Sequence, residues 1–547
     1  MGLFKRSTGA APDTISPHTP DSQSTSPTRS NDEKDLEAIH SEHTTSAPQS
    51  KWKLSAKSGD GDVAMALFGS PDELHEPISH EEERRVKRKI DWMILPYLAV
   101  CYAFFYIDKT TLSYAAIFGI REDLKLVGTE YSWLSSIFYF GFLAWAFPTN
   151  FLMQRLPIGK YLGFNIFLWG AFLMLQASAK NFTQLAVLRA FAGAAEACSD
   201  PSFMLITSMW YKRNEQPRAM GTWYVANGAG IALGGLLGYG IGNIHGAVPS
   251  WKLEFVIIGA LCCVWGVVMF VFLPDSPVTA KGLSHREKRV AVERLRGNQT
   301  GVENKHLKGY QVREAFSDIK LYLFYILGVV CNVPNGGISN FGTIIIKGFG
   351  FSTLDTTLMQ IPYGAIIAIS ILICVFANEY VEKSGRQART WFILLFLCPN
   401  IAGSFGLAFL DANNKAGRLT CYYLTGPYNA AFCMILSMST ANTAGHTKKV
   451  VTNAVLFLGY CTGNIIGPFF YLTSQSPRYQ LGIWSMIVSH LIEVCVILLL
   501  RFLLAKENKR RDRVQGLEVG GLAGRDLDAT AFSDMTDREN MNFRYIF

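Results

Sequence analysis

The chain has 547 residues, of which 49% are hydrophobic and only 17% charged, against about 25% charge in an ordinary soluble domain. Disorder throughout, a collagen-like fibre and a small disulfide scaffold are excluded. So is an ordinary soluble enzyme, because stretches of about 20 apolar residues recur between residues 92 and 505, each long enough to cross a hydrocarbon core of roughly 30 Å. The net charge of +8 is carried by basic residues that flank these stretches, which fits positive-inside anchoring rather than nucleic-acid binding. All 11 cysteines fall inside apolar stretches and none forms a C-x-x-C pair. They read as small core hydrophobes, with neither a disulfide framework nor a metal site.

Residues 1–85 are rich in Ser, Thr, Pro and charge, and read as a disordered cytosolic tail. No apolar stretch follows Met1, so no signal peptide is expected. Arg6 in place of Ser or Thr argues against myristoylation. Residues 86–273 read as a six-helix bundle with spans near 92–115, 131–153, 161–179, 183–209, 219–243 and 253–273. A cytosolic linker, 274–318, precedes a second bundle, 319–505, with spans near 319–341, 354–378, 391–410, 419–441, 450–474 and 481–505. Residues 506–547 form a cytosolic tail. The fold class is an all-α membrane protein of twelve transmembrane helices in two six-helix bundles, the layout of a two-half transporter. The run Arg84 to Lys89, the linker and the stretch Lys506 to Arg513 are basic and, with an even span count, share one side; the charge rule makes it the cytosol. The short loops, ten Lys/Arg inside against eight outside, decide nothing.

Charge within a span costs at least ~2.5 kcal/mol on insertion scales, so each instance is a functional candidate. Asp108 and Lys109 lie in the first span; an ion pair between them is the bland alternative. Arg189 and Glu196 in the fourth span are almost two helical turns apart, and Asp200 is one turn further. A carboxyl set between an arginine and a second carboxyl can load and release a proton; a buried polar network would use the same residues. In the fifth span Gly230, Gly234, Gly238 and Gly242 leave one face bare for helix packing. Asn332, Pro334, Asn335, Gly336, Gly337 and Asn340 predict an interruption of the seventh span. Gln360, Tyr363, Tyr428, Asn429, Tyr460 and Asn464 supply neutral hydrogen-bonding groups, and Asn335, Gln360, Tyr363, Tyr428 and Asn464 are candidate substrate contacts. His446, beside Lys448 and Lys449, reads as a gate or structural residue. No phosphate loop, dinucleotide fingerprint or nucleophile motif occurs, so no cofactor, ATP coupling or enzymatic activity is expected.

Two loops repeat a pattern. After the eighth span come Glu382, Lys383, Gly385, Arg386 and Arg389; after the second, Gln154, Arg155, Gly159 and Lys160. They resemble the loop signature of the major facilitator superfamily, with Gln154 where an acidic residue is usual, and suggest a gate formed by Arg155, Glu382, Lys383 and Arg386. Plain positive-inside charge would account for them too. The chain from about residue 85 onward resembles the fungal allantoate permease family, in the anion:cation symporter branch of that superfamily. The carrying stretches are Phe105 to Leu112, Glu130 to Leu134, Arg189 to Pro201, Leu273 to Pro277, Asn442 to Lys449, Gly463 to Pro468 and the tail Asp534 to Tyr545.

The resemblance implies a major facilitator fold and a secondary transporter, with Asp108 handling protons and Lys109 attracting an anion. Glu196 matches the family's acidic position, which makes it the main proton carrier; Asp200 departs from the family's more usual small or aromatic residue there, and reads as a second titrating group or as part of a wet vestibule. Lys109 and Arg189 would be the cationic contacts. The expected function is proton-coupled uptake of a small organic anion: a ureide such as allantoate, or a carboxylate such as nicotinate or pantothenate. Metabolite efflux and a non-transporting nutrient receptor are the alternatives. The expected partners are substrate, protons and the lipid bilayer, with no nucleic acid, for a monomer in the plasma membrane.

Overall fold

A computed structural model describes residues 78–153, 155–212, 215–296, 308–516 and 535–547. Nearly all of the N-terminal tail, Gln154 and the side chain of His446 lie outside the described residues. Nineteen α-helices and no strand are present among the described residues. In chain order they are α1 (His80–Ile117), α2 (Ile120–Asp123), α3 (Glu130–Met153), α4 (Ile158–Gln176), α5 (Phe182–Glu196), α6 (Ser199–Trp210), α7 (Gln216–Tyr224), α8 (Ala226–Gly242) and α9 (Ser250–Phe272). Two helices of the connecting segment follow, α10 (His285–Arg296) and α11 (Gly309–Phe316). The second half holds α12 (Ile319–Gly348), α13 (Thr353–Leu358), α14 (Gln360–Lys383), α15 (Arg389–Phe409), α16 (Lys415–Tyr423), α17 (Tyr428–Ala441), α18 (His446–Ile466) and α19 (Gln480–Val514).

Ten spans are apolar stretches long enough to cross a bilayer without a major break. The other two, the fourth and the tenth, are each split, into α5–α6 and α16–α17. Proline explains both breaks. Pro201 offers no N–H to the Ala197 carbonyl, and Pro427 none to the Tyr423 carbonyl, so the helical ladder fails four residues upstream. The second break is repaired locally: Asn400 of α15 accepts from the Tyr428 N–H (3.1 Å), and Asn429 Nδ2 donates to the Gly426 carbonyl (3.1 Å).

The seventh span departs from expectation. It is one unbroken helix, α12, with Pro334 inside it. The asparagines do not interrupt it because they bond back to their own helix, Asn332 Nδ2 to the Gly328 carbonyl and Asn340 Nδ2 to the Gly336 carbonyl, both at 2.8 Å. The glycines serve packing. A Cβ on Gly336 would lie 2.8 Å from the Asn464 carbonyl oxygen, so α12 and α18 touch backbone to backbone.

The glycines of α8 likewise serve contact, on two faces. A Cβ on Gly230 would lie 2.4 Å from the Ala103 oxygen of α1; one on Gly228 would lie 2.3 Å from the Gly364 oxygen of α14. Helix α8 therefore joins the two halves by close backbone approach, which only small residues permit.

We call the side bearing the start of α1 and the end of α19 the inner side, following the charge rule. The hydrogen bonds that join the halves cluster at the outer side and at mid-membrane. Ser113 meets Thr343 (2.7 Å), Tyr131 OH donates to the Asn340 carbonyl (2.7 Å), and Ser132 and Ser136 donate to the Pro468 and Ile465 carbonyls (3.0 and 2.7 Å). On the inner side the connecting helices divide between the halves. Helix α10 binds the first, through Arg286–Glu82 (2.6 Å), Lys89–Glu287 (2.7 Å) and Arg294–Glu215 (2.8 Å). Helix α11 binds the second, through Glu314–Lys448 (2.9 Å). The carboxyl of Glu287 is held below its ordinary value by the hydrogen bond from Lys89 and by the Ser284 backbone N–H.

The last residues are docked rather than free. Residues 535–547 fold back on the inner end of the second half, where Asp537 meets Lys320 (2.5 Å) and Lys448 (2.8 Å) and accepts from Tyr545 OH (2.7 Å). Arg511 of α19 donates to the Asp537, Asn540 and Phe543 carbonyls.

Candidate functional site

Asp108 and Lys109 are consecutive, so helix geometry turns them about 100° apart. They form no ion pair with each other. Asp108 is buried against its own bundle, where Trp169 Nε1 of α4 donates to Oδ2 at 3.2 Å; Oδ1 has no partner. Lys109 is half-buried and points to the other half: its Nζ donates to Tyr460 OH of α18 at 2.7 Å. The ammonium also lies over the rings of Tyr106 (4.7 Å) and Tyr460 (5.5 Å), an arrangement that favours a cation.

Glu196 is the last residue of α5, buried at the helix break, and its Oε2 has no partner. Asp200 lies just past the break, half-buried in the first turn of α6. The charges of Lys109, Asp108, Asp200 and Arg189 all act on Glu196, and that of Lys109 acts on Asp200. Among the described residues no ion pair joins these five groups. Arg189 is already committed: its Nε donates to the Leu134 carbonyl of α3 at 2.8 Å, with the guanidinium 5.5 Å from the centre of the Phe138 ring. Its charge acts on Asp108 and Glu196 from within the bundle. Aromatic rings pack around the group: Tyr102 against Trp223 (5.0 Å) and Tyr106 (5.4 Å), and Tyr460 against Phe457 (5.3 Å) and Tyr139 (6.2 Å).

The candidate contacts of the second half form two sets. Asn335 is the centre of the first. It donates to Asn464 Oδ1 (3.1 Å) and accepts from Tyr428 OH (2.7 Å) and Ser339 Oγ (3.3 Å), while Asn464 Nδ2 donates to Asn332 Oδ1 (3.3 Å) and the Tyr460 carbonyl (2.9 Å). Asn464 is thus one helical turn from the Tyr460 that holds Lys109. Gln360 and Tyr363 belong to the second set, around Tyr422: Gln360 Nε2 donates to Tyr422 OH (3.2 Å), and the rings of Tyr363 and Tyr422 are 4.8 Å apart.

The loop residues stay within their own halves. Arg155 is exposed, its guanidinium over the Phe151 ring at 4.2 Å. Glu382 accepts from Arg389 (2.5 Å), which also donates to Ser437 (3.0 Å). Lys383 pairs with Glu379 on the helix surface (2.7 Å), and Arg386 is exposed.

Reading the sequence did not find three features. Tyr460 was one of several neutral groups, with nothing to tie it to Lys109. Trp169 gave no signal as a carboxylate partner. His490 and Glu493 are two ionisable residues three apart in the last span, and that spacing within an apolar stretch was a legible signal.

The arrangement is a cation shared across two helical halves, beside carboxyls that lack full partners at membrane depth. It suits binding an anion and moving a proton, and holds no nucleophile and base in contact. Comparison with known proteins identifies the scaffold as a transporter's. The family model of the Major Facilitator Superfamily matches residues 98–468. An uncharacterized transporter of Schizosaccharomyces pombe is 38% identical, over 89% of this chain and 90% of its own length. The allantoate permease of Saccharomyces cerevisiae is 34% identical, over 95% and 99%, and a thiamine pathway transporter of the same yeast is 34% identical, over 86% and 87%. A bacterial homologue of the human lysosomal transporter Spinster, solved inward-facing and unoccupied, shares the fold at 14% identity with a TM-score of 0.54, over 77% of this chain and 96% of that one. The chain is a multi-pass membrane transporter and belongs to the Major Facilitator Superfamily, within the group of fungal carriers that includes allantoate permease.

Proposed function

We propose that this transporter takes up a small organic anion together with protons. The observation that carries the reading is Lys109: a half-buried ammonium at membrane depth, held by a phenol of the opposite half and by ring faces, with no carboxylate in contact. An anion arriving there gains a charge-assisted hydrogen bond, worth about 1.5–3 kcal/mol. It also meets both halves at once, so binding can bias which side is open. Glu196, with a free carboxylate oxygen beside the break in the fourth span, is the proton carrier; Asp108 and Asp200 share its field. Lysine offers a point charge rather than a planar fork, so the substrate needs one well-placed carboxylate and no bidentate partner. The likeness to allantoate permease supports a ureide, with nicotinate-like and pantothenate-like carboxylates as the next candidates. An uptake carrier must stand between medium and cytosol, which places it in the plasma membrane, acting as a monomer around one site.

The test is flux of labelled allantoate, nicotinate and pantothenate into vesicles bearing the full chain, with pH gradients of either sign. Accumulation should follow the proton gradient inward. Indifference to its sign removes the coupling, and faster expulsion under the inward gradient makes the protein an exporter.

A further inference from the structure

Behind the amide network of the second half sits a titratable pair that the proposed mechanism does not use. His490 and Glu493 are one turn apart on α19 and both are fully buried. His490 Nδ1 lies 3.2 Å from Glu493 Oε2, and Glu493 Oε1 accepts from Cys331 Sγ of α12 at 2.9 Å. The other ring nitrogen, Nε2, is buried without a partner. The imidazole ring is 6.4 Å from the ring of Tyr428, the residue that donates to Asn335. Tyr428 is also the first residue of α17, directly after the break in the tenth span.

We propose that His490 and Glu493 form a second proton-binding site, which loads one proton as a unit and reports it to the anion site through Tyr428 and Asn335. The charge arithmetic supports this. With Nδ1–H given to the Glu493 carboxylate and Nε2 bare, the pair carries −1 inside an apolar bundle. One proton added at Nε2, or on the carboxylate, makes it neutral. The proton belongs to the pair rather than to either residue. Helix α19 packs against α12, α15 and the turn at 467–470. At this depth α12 contributes Cys331 and α17 contributes Tyr428 as titratable groups. Helix α15 contains only Cys398 besides Arg389 at its inner end, and the turn contains none. On α19 itself the next titratable groups are Cys495 and Arg501, the latter about two turns from Glu493 with its guanidinium over the rings of Trp391 and Phe547. Among the described residues no Lys or Arg pairs with Glu493, which separates this pair from an ordinary structural ion pair. Both side chains are buried, so a proton reaches them only when the helices packed around them rearrange, and that requirement would tie loading to the transport cycle. The transport role rests on the proton-coupled reading above; the proton site itself does not, and is tested without substrate.

The experiment is an infrared difference titration of the full-length protein reconstituted in lipid, scanned from about pH 4 to about pH 9, with proton uptake counted by pH-sensitive dye. His490→Gln and Glu493→Gln should each abolish the same single-proton step, with its imidazole and carboxylate bands lost together. Glu196→Gln should leave that step in place. If either pair variant fails to fold, Cys331→Ala decides. Removing the thiol donor takes a hydrogen bond from Glu493 Oε1, so the carboxylate band of that step should shift in the difference spectrum. A titration unchanged in His490→Gln or Cys331→Ala, or a step lost only in Glu196→Gln, overturns the proposal. Substrate flux that ignores the proton gradient while the step persists removes the coupling reading and leaves the proton site standing.

Discussion

Two charged regions of this molecule obey opposite rules. At the inner end of the second half, Asp537 is fully buried, and every neighbouring charge lies in an ion pair, Asp318 Oδ2 by charge contact without a hydrogen bond: Lys448 meets Glu314, Asp318 and Asp537 at 2.8–3.0 Å, and Lys320 meets Asp537 at 2.5 Å. Burial alone would raise the Asp537 carboxyl, but the charges of Lys320 and Lys448 and their hydrogen bonds outweigh it and hold it at about 2. In the membrane part of the first half, five charged side chains act on one another without one ion pair, and Asp108 and Glu196 each leave an oxygen unpartnered. A saturated network holds position, because breaking it strands buried charge. An unsaturated one can accept a ligand or a proton, because that addition completes it.

Glu196 is the most sensitive point of the unsaturated region. Replacement by Gln should abolish gradient-driven accumulation while exchange of substrate across the membrane continues, measured by labelled flux in vesicles with and without a gradient. Undiminished accumulation would move proton coupling elsewhere.

Asp537→Ala should cost about 3–5 kcal/mol of stability, since it leaves Lys320 and Lys448 short of a partner, and should free residues 535–547 to proteolysis. Thermal unfolding of the purified full chain reads the first effect and limited digestion the second. Substrate affinity in the surviving folded protein should be unchanged.

Lys109→Ala should show the reverse pattern: affinity for the anion weaker by about 10- to 100-fold, with the melting temperature close to that of the parent. Equilibrium binding and a melting curve on the same sample check both. Normal binding would make the charge structural.

Acid should loosen the docked tail only well below neutrality. Asp537 is held at about 2, below its ordinary value of 3.8. Its contribution, about 2 kcal/mol, is therefore complete above about pH 5 and is lost as pH falls from there through 2. The docked tail should be equally protected from hydrogen exchange at pH 8 and pH 5. A loss of protection between those values would mean that another group governs docking.

The smallest effect is expected at Tyr460. Phe at this position removes the acceptor that competes with substrate for Lys109, so anion affinity should rise by about five-fold in the same binding assay. Unchanged affinity would mean that the hydrogen bond between the halves persists when substrate is bound.

Helix number, halves and membrane character were legible because a bilayer imposes a length of about 20 apolar residues on any spanning helix, and that length is written locally. The charged candidates were legible for a related reason: Asp108, Lys109, Arg189, Glu196 and Asp200 stand out against apolar surroundings. Where helices break was misread. Asn332 to Asn340 looked like an interruption, yet their side chains bond within α12, and the breaks fall instead upstream of Pro201 and Pro427. A proline states which hydrogen bond is missing but not whether the helix runs on or breaks: α12 continues through Pro334, whereas the tenth span breaks ahead of Pro427, where Asn400 and Asn429 bond the loose backbone groups.

Sequence alone determined the spans, the charge asymmetry and the list of ionisable side chains at membrane depth, since each depends on residues near one another in the chain. Only the tertiary structure decided which of those charges meet. Lys109 and Tyr460 are 351 residues apart, Asp108 and Trp169 are 61 apart, and Lys320 and Asp537 are 217 apart. Such pairings are set by how helices pack and by where glycines such as Gly228 and Gly364 let backbones touch. Helical periodicity tells which way a side chain points from its own axis, but not what stands opposite.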